Sequence, residues 1–252
     1  MKFTPVHLAA GVARRLKRWA DQKQIGKVDK EIFKHTDCLA TVQAVNKYLR
    51  PVRLCDIGAN AGHWSYVMHQ LNPQLQDVVM IEPQAKLISG LHDLKLPGTI
   101  RHVYSCALGE KRHVMTLSGG TASASLFEAG NNQHHFFPGS TNQDSEQVEV
   151  RVLDEIYKAD NLVYPDVIKV DVQGYELNVL KGARNVLAHA RYLVIELSLR
   201  EFYKGQPPLW ELWRFLDEEQ FVMVDHGYEL RSPRKPHELL QFDAIFVNKR
   251  FQ

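Results

Sequence analysis

The stretch Leu54 to Trp64, LCDIGANAGHW, sets an acid, two glycines and an asparagine directly after an apolar run. Asp56, Gly58, Asn60 and Gly62 fall at alternate positions, the composition of a turn between a buried strand and a helix. Gly58 and Gly62 let the backbone pass close beneath a ligand and tolerate positive φ, while Asp56 at the strand tip turns a carboxylate toward the pocket. A dinucleotide lays its pyrophosphate over a GxGxxG turn and a helix N-terminus, where such an extra anion repels it. Ser65 stands where the third glycine belongs. S-adenosylmethionine carries an α-ammonium and a sulfonium and no phosphate, so the same acid attracts it, and the turn favours it over NAD. Glu82, 26 residues beyond Asp56 at the end of the next apolar run, is placed to accept both hydroxyls of a ribose.

Further carboxylates follow. Transfer of a methyl group to a hydroxyl needs the acceptor oxygen held in line and a base or metal to deal with its proton. Asp171, ending the strand-like IKVDVQG, is the leading candidate base; its alternative role is an N-cap for the helix that follows. Glu196 ends the strand-like VIELS and converges with Asp171 at neighbouring strand tips. Two such carboxylates can hold Mg²⁺, which polarises an acceptor oxygen, or can hydrogen-bond a sugar directly; a third metal ligand is not identifiable, so no metal site is assigned. His226, after FVMVD, is a third catalytic candidate because imidazole is the usual base at neutral pH. Lys169, one strand period before Asp171, together with Gln173 and Glu176, is assigned to the acceptor side, although a favourable helix-dipole contact explains Glu176 equally well. A buried Lys169 requires a charge partner, for which Asp171 and Glu196 are available. His134 and His135, beside Phe136 and Phe137, are candidates for a lid, and Tyr203, Trp210 and Trp213 offer flat faces to a sugar or polyketide.

These residues must be positioned by a regular alternation of elements. A helical region from about Asp29 to Tyr48 precedes a break at Pro51; VRLCDIG, DVVMIEP and IRHVYSCALG read as strands, with helices from Gly62 to Asn72 and over AKLISGLHDL between them. RHVMTLS and QVEVRVLDEI enclose a polar loop from Gly119 to Glu146, too long to be a simple connection. DVIKVDV and YLVIELS flank the helix-like YELNVLKGARNVLAHA, and FVMVDH with FDAIFVN reads as an antiparallel pair. The fold class that follows is α/β: a doubly wound, mostly parallel Rossmann-like sheet with a C-terminal antiparallel strand pair and an N-terminal helical extension. Residues 1–50 form that extension, and 51–252 the main domain with an inserted strand-loop-strand at about 111–153.

Composition narrows the function classes. With 44% apolar and 24% charged residues, the 252-residue chain has the makeup of an ordinary globular domain. A net charge of +2 gives no basis for a nucleic-acid partner, which needs cations clustered on one face. Cys38, Cys55 and Cys106, an odd set with no CxxC pair, read as buried thiols of a reducing compartment. With neither a membrane-length apolar run nor a signal-peptide core, the expectation is a cytoplasmic protein. Leu8, Val12, Leu16 and Trp19 recur at helical spacing among Arg14, Arg15, Lys17 and Arg18. That segment packs its apolar stripe on the domain or, alternatively, rests on the inner membrane surface.

DIGANAG, IEP and ALG, followed by VIKVDVQGYELNVLKGA and VIELS, resemble in content and order the FkbM family of S-adenosylmethionine-dependent methyltransferases, from about Leu54 to Asn248. The resemblance implies a class I methyltransferase sheet. It also implies that Asp56, Gly58, Asn60 and Gly62 surround the methionine part of the cofactor, Glu82 the ribose, and Ala107 and Leu108 the adenine. Ser123, in TASASL, falls in a serine segment similar to the family's and is assigned beside the donor. The activity implied is O-methylation of a small-molecule or glycan acceptor, foremost a sugar in a glycan or glycolipid precursor. Alternatives are a polyketide or other secondary metabolite as acceptor, a non-catalytic module on the same scaffold, and, disfavoured by the turn, an NAD-dependent oxidoreductase.

Overall fold

The computed structural model describes residues 36–138 and 145–252. The amphipathic segment around Leu8 to Trp19 lies outside them. In chain order the elements are α1 (Thr36–Val45), β1 (Arg53–Ile57), α2 (His63–Leu71), β2 (Asp77–Ile81), α3 (Ala85–Asp93), β3 (Ile100–Tyr104), β4 (Ala107–Leu108) and β5 (His113–Ser118). They continue with α4 (Asn131–Phe136), β6 (Ser145–Arg151), α5 (Leu153–Ala159), β7 (Val167–Val170), α6 (Glu176–Lys181), α7 (Arg184–His189), β8 (Tyr192–Ser198), α8 (Leu209–Glu218), β9 (Phe221–Arg231) and β10 (Leu239–Asn248).

Seven strands form one sheet in the order β3-β2-β1-β7-β8-β10-β9. Neighbours are parallel from β3 through β8, and β10 runs antiparallel to both β8 and β9. Parallel strands need crossovers, the crossovers here are helices, and helices on both faces bury the central strands completely. That is why LCDI, VVMI and VIKV carry almost no polar residue: β1, β2 and β7 sit between two apolar layers.

The period of two sorts each strand between those layers. Cys55, Ile57, Val79, Ile81, Ile168, Val170 and Ile195 point into one cluster with α5 to α8. Leu54, Val78, Met80, Val167, Val194 and Ile245 point into the other, which α1 and α2 cover with Leu39, Val42, Trp64, Val67 and Met68. Along this second face the apolar layer ends where polar residues begin. Two positions on from Leu54, Val167 and Val194 come Asp56, Lys169 and Glu196; because β10 runs the other way, Asp243 precedes Ile245 by two and lies at the same level. The register pairs Asp56 with Lys169 and Glu196 with Asp243. The sheet therefore delivers a row of charged side chains to one edge of one layer.

Several element boundaries differ from those expected. IRHVYSCALG is two strands: β3 pairs with β2, whereas Ala107 and Leu108 leave the large sheet to pair with β6. There they found a three-stranded sheet, β4-β6-β5, whose inner face is Ala107, Leu117, Val148 and Val150. YELNVLKGARNVLAHA breaks into α6 and α7 at Gly182, whose absent Cβ would stand 2.1 Å from the Gly109 carbonyl oxygen; a side chain would block that backbone contact. The polar loop after Gly119 contains a 3₁₀ turn (Thr121–Ser123) and α4. Phe136 and Phe137 pack on the buried Phe202, Tyr203 and Leu240, which anchors this stretch to the domain rather than leaving it as a solvated loop. The predicted helix from about Asp29 is described only from Thr36 to Val45.

Candidate active site

The turn after β1 is built by three residues in the left-handed region, Gly58 at φ 72°, Asn60 at 51° and Gly62 at 79°. The glycines serve packing. A Cβ on Gly58 would lie 1.9 Å from the Asp171 carbonyl oxygen, and one on Gly62 would lie 2.7 Å from a Leu94 methyl. The first lets the ends of β1 and β7 close up; the second admits the end of α3 against α2. Asp56, expected to face the pocket, does not. It is fully buried behind the turn, accepting from the Ser65 hydroxyl at 2.6 Å and lying 3.5 Å from the Lys169 ammonium. Side chains alternate along β1, so a carboxylate two residues after the buried Leu54 must point into the same layer as Leu54. Ser65, noted only as a missing glycine, is its partner.

Glu82 holds the turn from the neighbouring strand. Its carboxylate accepts from the Asn60 amide at 2.8 Å, the Gln84 amide at 2.9 Å and the Gln84 side chain at 3.1 Å. Burial raises its pKa above the ordinary carboxylate range, partly offset by those donors. It lines a cavity with Gly58, Asn60, Ile81, Gln84, Ala107, Leu108, Leu126 and Asp171. Among the described residues no Lys, Arg or His contributes to this wall, so no side-chain cation there faces a pyrophosphate. A carboxylate has about four lone-pair sites, so after its three present bonds Glu82 retains capacity for one ribose hydroxyl. The apolar slot and the acid together fit S-adenosylmethionine.

A second, larger cavity lies on the α1 side and is lined among others by Asp37, Trp64, Lys169, Asp171, Glu196, Tyr228 and Asp243. The two cavities share Gly58, Asn60, Ala122 and Asp171. Asp171 thus stands on the wall between them.

Its surroundings are ordered by Lys169 and Gln173. Lys169 Nζ donates to the Gly58 carbonyl at 2.8 Å and sits 3.6 Å from Asp171 and 3.5 Å from Asp56. Burial works against its charge, but Asp171 and Asp56 outweigh that and hold its pKa above the usual lysine value. Asp171 and Asp56, rather than Glu196, are its charge partners. Gln173, itself left-handed at φ 56°, donates from Nε2 to Asp171 at 2.8 Å and to Glu196 at 3.2 Å, while its Oε1 accepts from the Tyr203 hydroxyl at 2.9 Å. Glu196 also accepts from Gln241 at 3.0 Å. Burial, with Asp171 and Asp243 near, pushes Glu196 well above the carboxylate range. Asp243, which accepts from the Thr41 hydroxyl, is raised by burial to about 6.

Other sequence candidates are placed elsewhere. No side chain caps α6, so Asp171 is not its N-cap. Glu176 accepts from the amides of Val172 at 3.2 Å and Gly174 at 3.0 Å, fastening the turn that carries Gln173 and lining neither cavity; burial raises it to about 7. His226 lies exposed on β9 and contacts Glu229 at 2.9 Å; a register shift in the β9–β10 pairing, where Glu229 to His226 spans Phe242 to Ala244, interrupts simple alternation, and Tyr228 rather than His226 lines the cavity. His134 and His135 are exposed on α4, the latter within 3.1 Å of Arg234, and line neither cavity. Ser123 is not in either wall, which takes Ala122 and Ala124 instead, but its carbonyl accepts from Tyr203. Trp210 and Trp213 face solvent on α8, Trp213 edge-on to Phe246. Sequence reasoning missed Asp243, Trp64 and Asp37; an acid inside the apolar FDAIFVN was the available signal for the first. Among the described residues no group of three or more His, Cys, Asp or Glu is arranged to hold a metal ion, and no helix is long and apolar enough to cross a membrane.

A mostly parallel seven-stranded sheet with one antiparallel strand inserted before its last, and a cavity at the carboxyl ends of β1 and β2, is the class I methyltransferase architecture. The Methyltransferase FkbM domain matches residues 56–230, and the chain belongs to that family. Its matches include 2-O-methyltransferase NoeI of Sinorhizobium fredii, 40% identical over 62 residues, which are 25% of this chain and 26% of NoeI. They also include hexuronic acid methyltransferase AglP of Haloferax volcanii, 41% identical over 44 residues, 18% of each chain. The chain thus spans about a quarter or less of the curated relatives it matches. A crystal structure of a methyltransferase FkbM from Methylobacillus flagellatus KT is 16% identical with a TM-score of 0.49, covering 96% of this chain and 58% of that one.

Proposed function

We propose that this methyltransferase is an S-adenosylmethionine-dependent O-methyltransferase acting on a hydroxyl of a sugar in a glycan or glycolipid precursor. The observation that carries the reading is the meeting of two cavities at Asp171: one is suited to the donor, and the other, larger and polar, to an acceptor with several hydroxyls. The names of NoeI and AglP, a 2-O-methyltransferase and a hexuronic acid methyltransferase, support hydroxyl and sugar chemistry over short matched segments.

Bound S-adenosylmethionine supplies an electrophilic methyl on a sulfonium. In this reading Glu82 holds the ribose, and Asn60 with Gly58 forms the floor shared with the acceptor. Asp171 takes the acceptor hydroxyl as a hydrogen-bond donor and receives its proton as the oxygen's lone pair takes the methyl. Gln173 holds one Asp171 oxygen and Lys169 faces the other, which fixes the carboxylate's orientation. Glu196, oriented by Gln173 and Gln241, bonds a second acceptor hydroxyl.

The test is formation of S-adenosylhomocysteine from S-adenosylmethionine and a panel of sugar glycosides, with methylation sites read by mass spectrometry. Asp171→Asn should lower turnover by about 10²- to 10⁴-fold, the range for a lost proton acceptor, with S-adenosylhomocysteine affinity changed only a few-fold. Undiminished turnover in Asp171→Asn, or methylation of nitrogen or carbon rather than oxygen, would refute the reading.

A further inference from the structure

Asp171 is held from two sides, and the two holds differ in kind. Lys169 faces one oxygen with a charge at 3.6 Å, whereas Gln173 aims a hydrogen bond from Nε2 at the other, 2.8 Å away. The same Nε2 donates to Glu196 at 3.2 Å. A side-chain amide has two N–H donors and one acceptor oxygen, so with both donors turned to carboxylates Oε1 must face the opposite way. Turned over, the amide would set Oε1 against the Asp171 carboxylate and lose that bond.

On the opposite side stands Tyr203. Its hydroxyl lies 2.9 Å from Gln173 Oε1 and 3.3 Å from the Ser123 carbonyl oxygen. Both neighbours are acceptors, so the hydroxyl donates its single proton, and the shorter contact takes it. Burial, with Glu196, Glu176 and Asp171 near, raises the pKa of this phenol above its usual value, so the proton stays on the oxygen at neutral pH. Tyr203 is 2% exposed and lines neither cavity. It meets the reacting groups only through Gln173.

The mount of that hydroxyl does not depend on the bond it makes. A Cβ on Gly174, which is left-handed at φ 98°, would lie 3.0 Å from Tyr203 Cδ2, so the absent side chain lets the ring close on the turn that carries Gln173. The backbone around Tyr203 is pinned where the Gly130 amide donates to the Phe202 carbonyl at 2.7 Å and the Lys204 amide to the Glu128 carbonyl at 2.8 Å. Phe202, Tyr203 and Leu240 form one buried cluster. The two acids differ in what they would lose. Glu196 has a second donor in Gln241 at 3.0 Å, whereas among the described residues Gln173 gives Asp171 its one neutral side-chain hydrogen bond.

We propose that Tyr203 is a positioning residue for methyl transfer: its hydroxyl locks the Gln173 amide with Nε2 toward Asp171, so that the carboxylate stays in line with the acceptor hydroxyl. The proposal rests on the reading of Asp171 as proton acceptor and adds to it a residue that touches neither donor nor acceptor. Loss of the hydroxyl acts on turnover more than on binding, because Glu196 keeps Gln241 and the donor wall contains no atom of Tyr203.

The test follows S-adenosylhomocysteine formation by the whole protein with the methyl glycosides of glucose, mannose and glucuronic acid. Wild type is compared with Asp171→Asn, Tyr203→Phe, Gln173→Asn and the Tyr203→Phe/Gln173→Asn double variant. Phe keeps the ring on Gly174, and Asn tolerates a left-handed backbone while being too short to bridge Tyr203 and Asp171. Calorimetric titration with S-adenosylhomocysteine checks each variant and should stay within about threefold of wild type. Tyr203→Phe should lower kcat by about tenfold, the scale of one hydrogen bond to a group that must stay in line, with KM changed less than about threefold. In the Gln173→Asn background the same substitution should change kcat less than about twofold, since the residue it acts through is gone; a merely structural loss would lower kcat equally in both backgrounds. With Asp171→Asn impaired, a Tyr203→Phe kcat within about twofold of wild type, an undiminished effect in Gln173→Asn, or lost S-adenosylhomocysteine binding in Tyr203→Phe would overturn this proposal alone. No turnover of any of the three glycosides by wild type, or an Asp171→Asn as fast as wild type, would overturn the O-methyltransferase reading and this proposal with it.

Discussion

Lys169→Met is the most informative single perturbation of the charged row. Lys169 is 7% exposed and donates to the Gly58 carbonyl at 2.8 Å and, at the limit of a hydrogen bond, to the Ile57 carbonyl at 3.5 Å. Met fills most of its volume but leaves Asp56, which is 0% exposed, with the Ser65 hydroxyl as its remaining partner. Stranding a buried charge in this way costs about 3–5 kcal/mol, and the lost bond to Gly58 adds about 1 kcal/mol. The contact with Asp171 adds little, because that side chain is 35% exposed and water screens it. In a chain of this size each kcal/mol moves the midpoint by about 2–4 °C, so a fall of about 8–24 °C follows. Urea unfolding followed by circular dichroism gives the free energy directly. The Asp56→Asn/Lys169→Met double variant removes both charges and should regain at least about 2 kcal/mol over the single one, since a buried pair replaced as a unit costs little. A single variant that loses less than about 1 kcal/mol, or a double variant no more stable than it, would show that Lys169 and Asp56 do not stabilise one another.

Three further outcomes follow from the same geometry. Gly58→Ala forces a Cβ to 1.9 Å from the Asp171 carbonyl at a backbone φ of 72°, and should destabilise the fold by about 3 kcal/mol or more in urea unfolding; a loss under about 1 kcal/mol would mean the turn yields freely. Glu176 has its folded pKa raised from 4.5 to about 7, first by burial. Between those values the folded protein keeps a proton the unfolded chain has released, so this group makes stability fall as pH rises from about 4.5 to 7 and leaves it level above. Glu176→Gln, which retains an oxygen for the Val172 and Gly174 amides, should gain on wild type across that window, and parallel pH profiles would contradict the assignment. Glu82→Ala should weaken S-adenosylhomocysteine binding by about 10- to 100-fold in calorimetry, the range for a hydrogen bond to a charged group, with Glu82→Gln between; unchanged affinity would remove Glu82 from the donor site.

What the sequence determined by itself was the alternation of apolar runs with helical segments, and hence the parallel sheet, because strands buried on both faces must be written almost wholly in apolar residues. The positions where that rule is broken at strand ends, Asp56, Glu82, Lys169, Asp171 and Glu196, were readable for the same reason: charge in a buried run is expensive and stands out. The family followed from the turn and the IKVDVQGYELNVLKGA block, both local in the chain. The tertiary structure decided which way each of those charges points. Asp56 and Asp171 are alike in sequence, each an acid at a strand end before a glycine-bearing turn, yet one is sealed behind the turn with Ser65 and the other stands between two cavities. Register across β1, β7, β8 and β10 makes that distinction, and it depends on pairings between residues more than a hundred positions apart, such as Asp56 with Lys169. The same long-range pairing brings Asp243 opposite Glu196, while a register shift between β9 and β10 parts His226 from Tyr228, which lines the cavity. A histidine's chemistry is legible in a sequence, but the face of the strand it occupies is set only when the strand finds its neighbours.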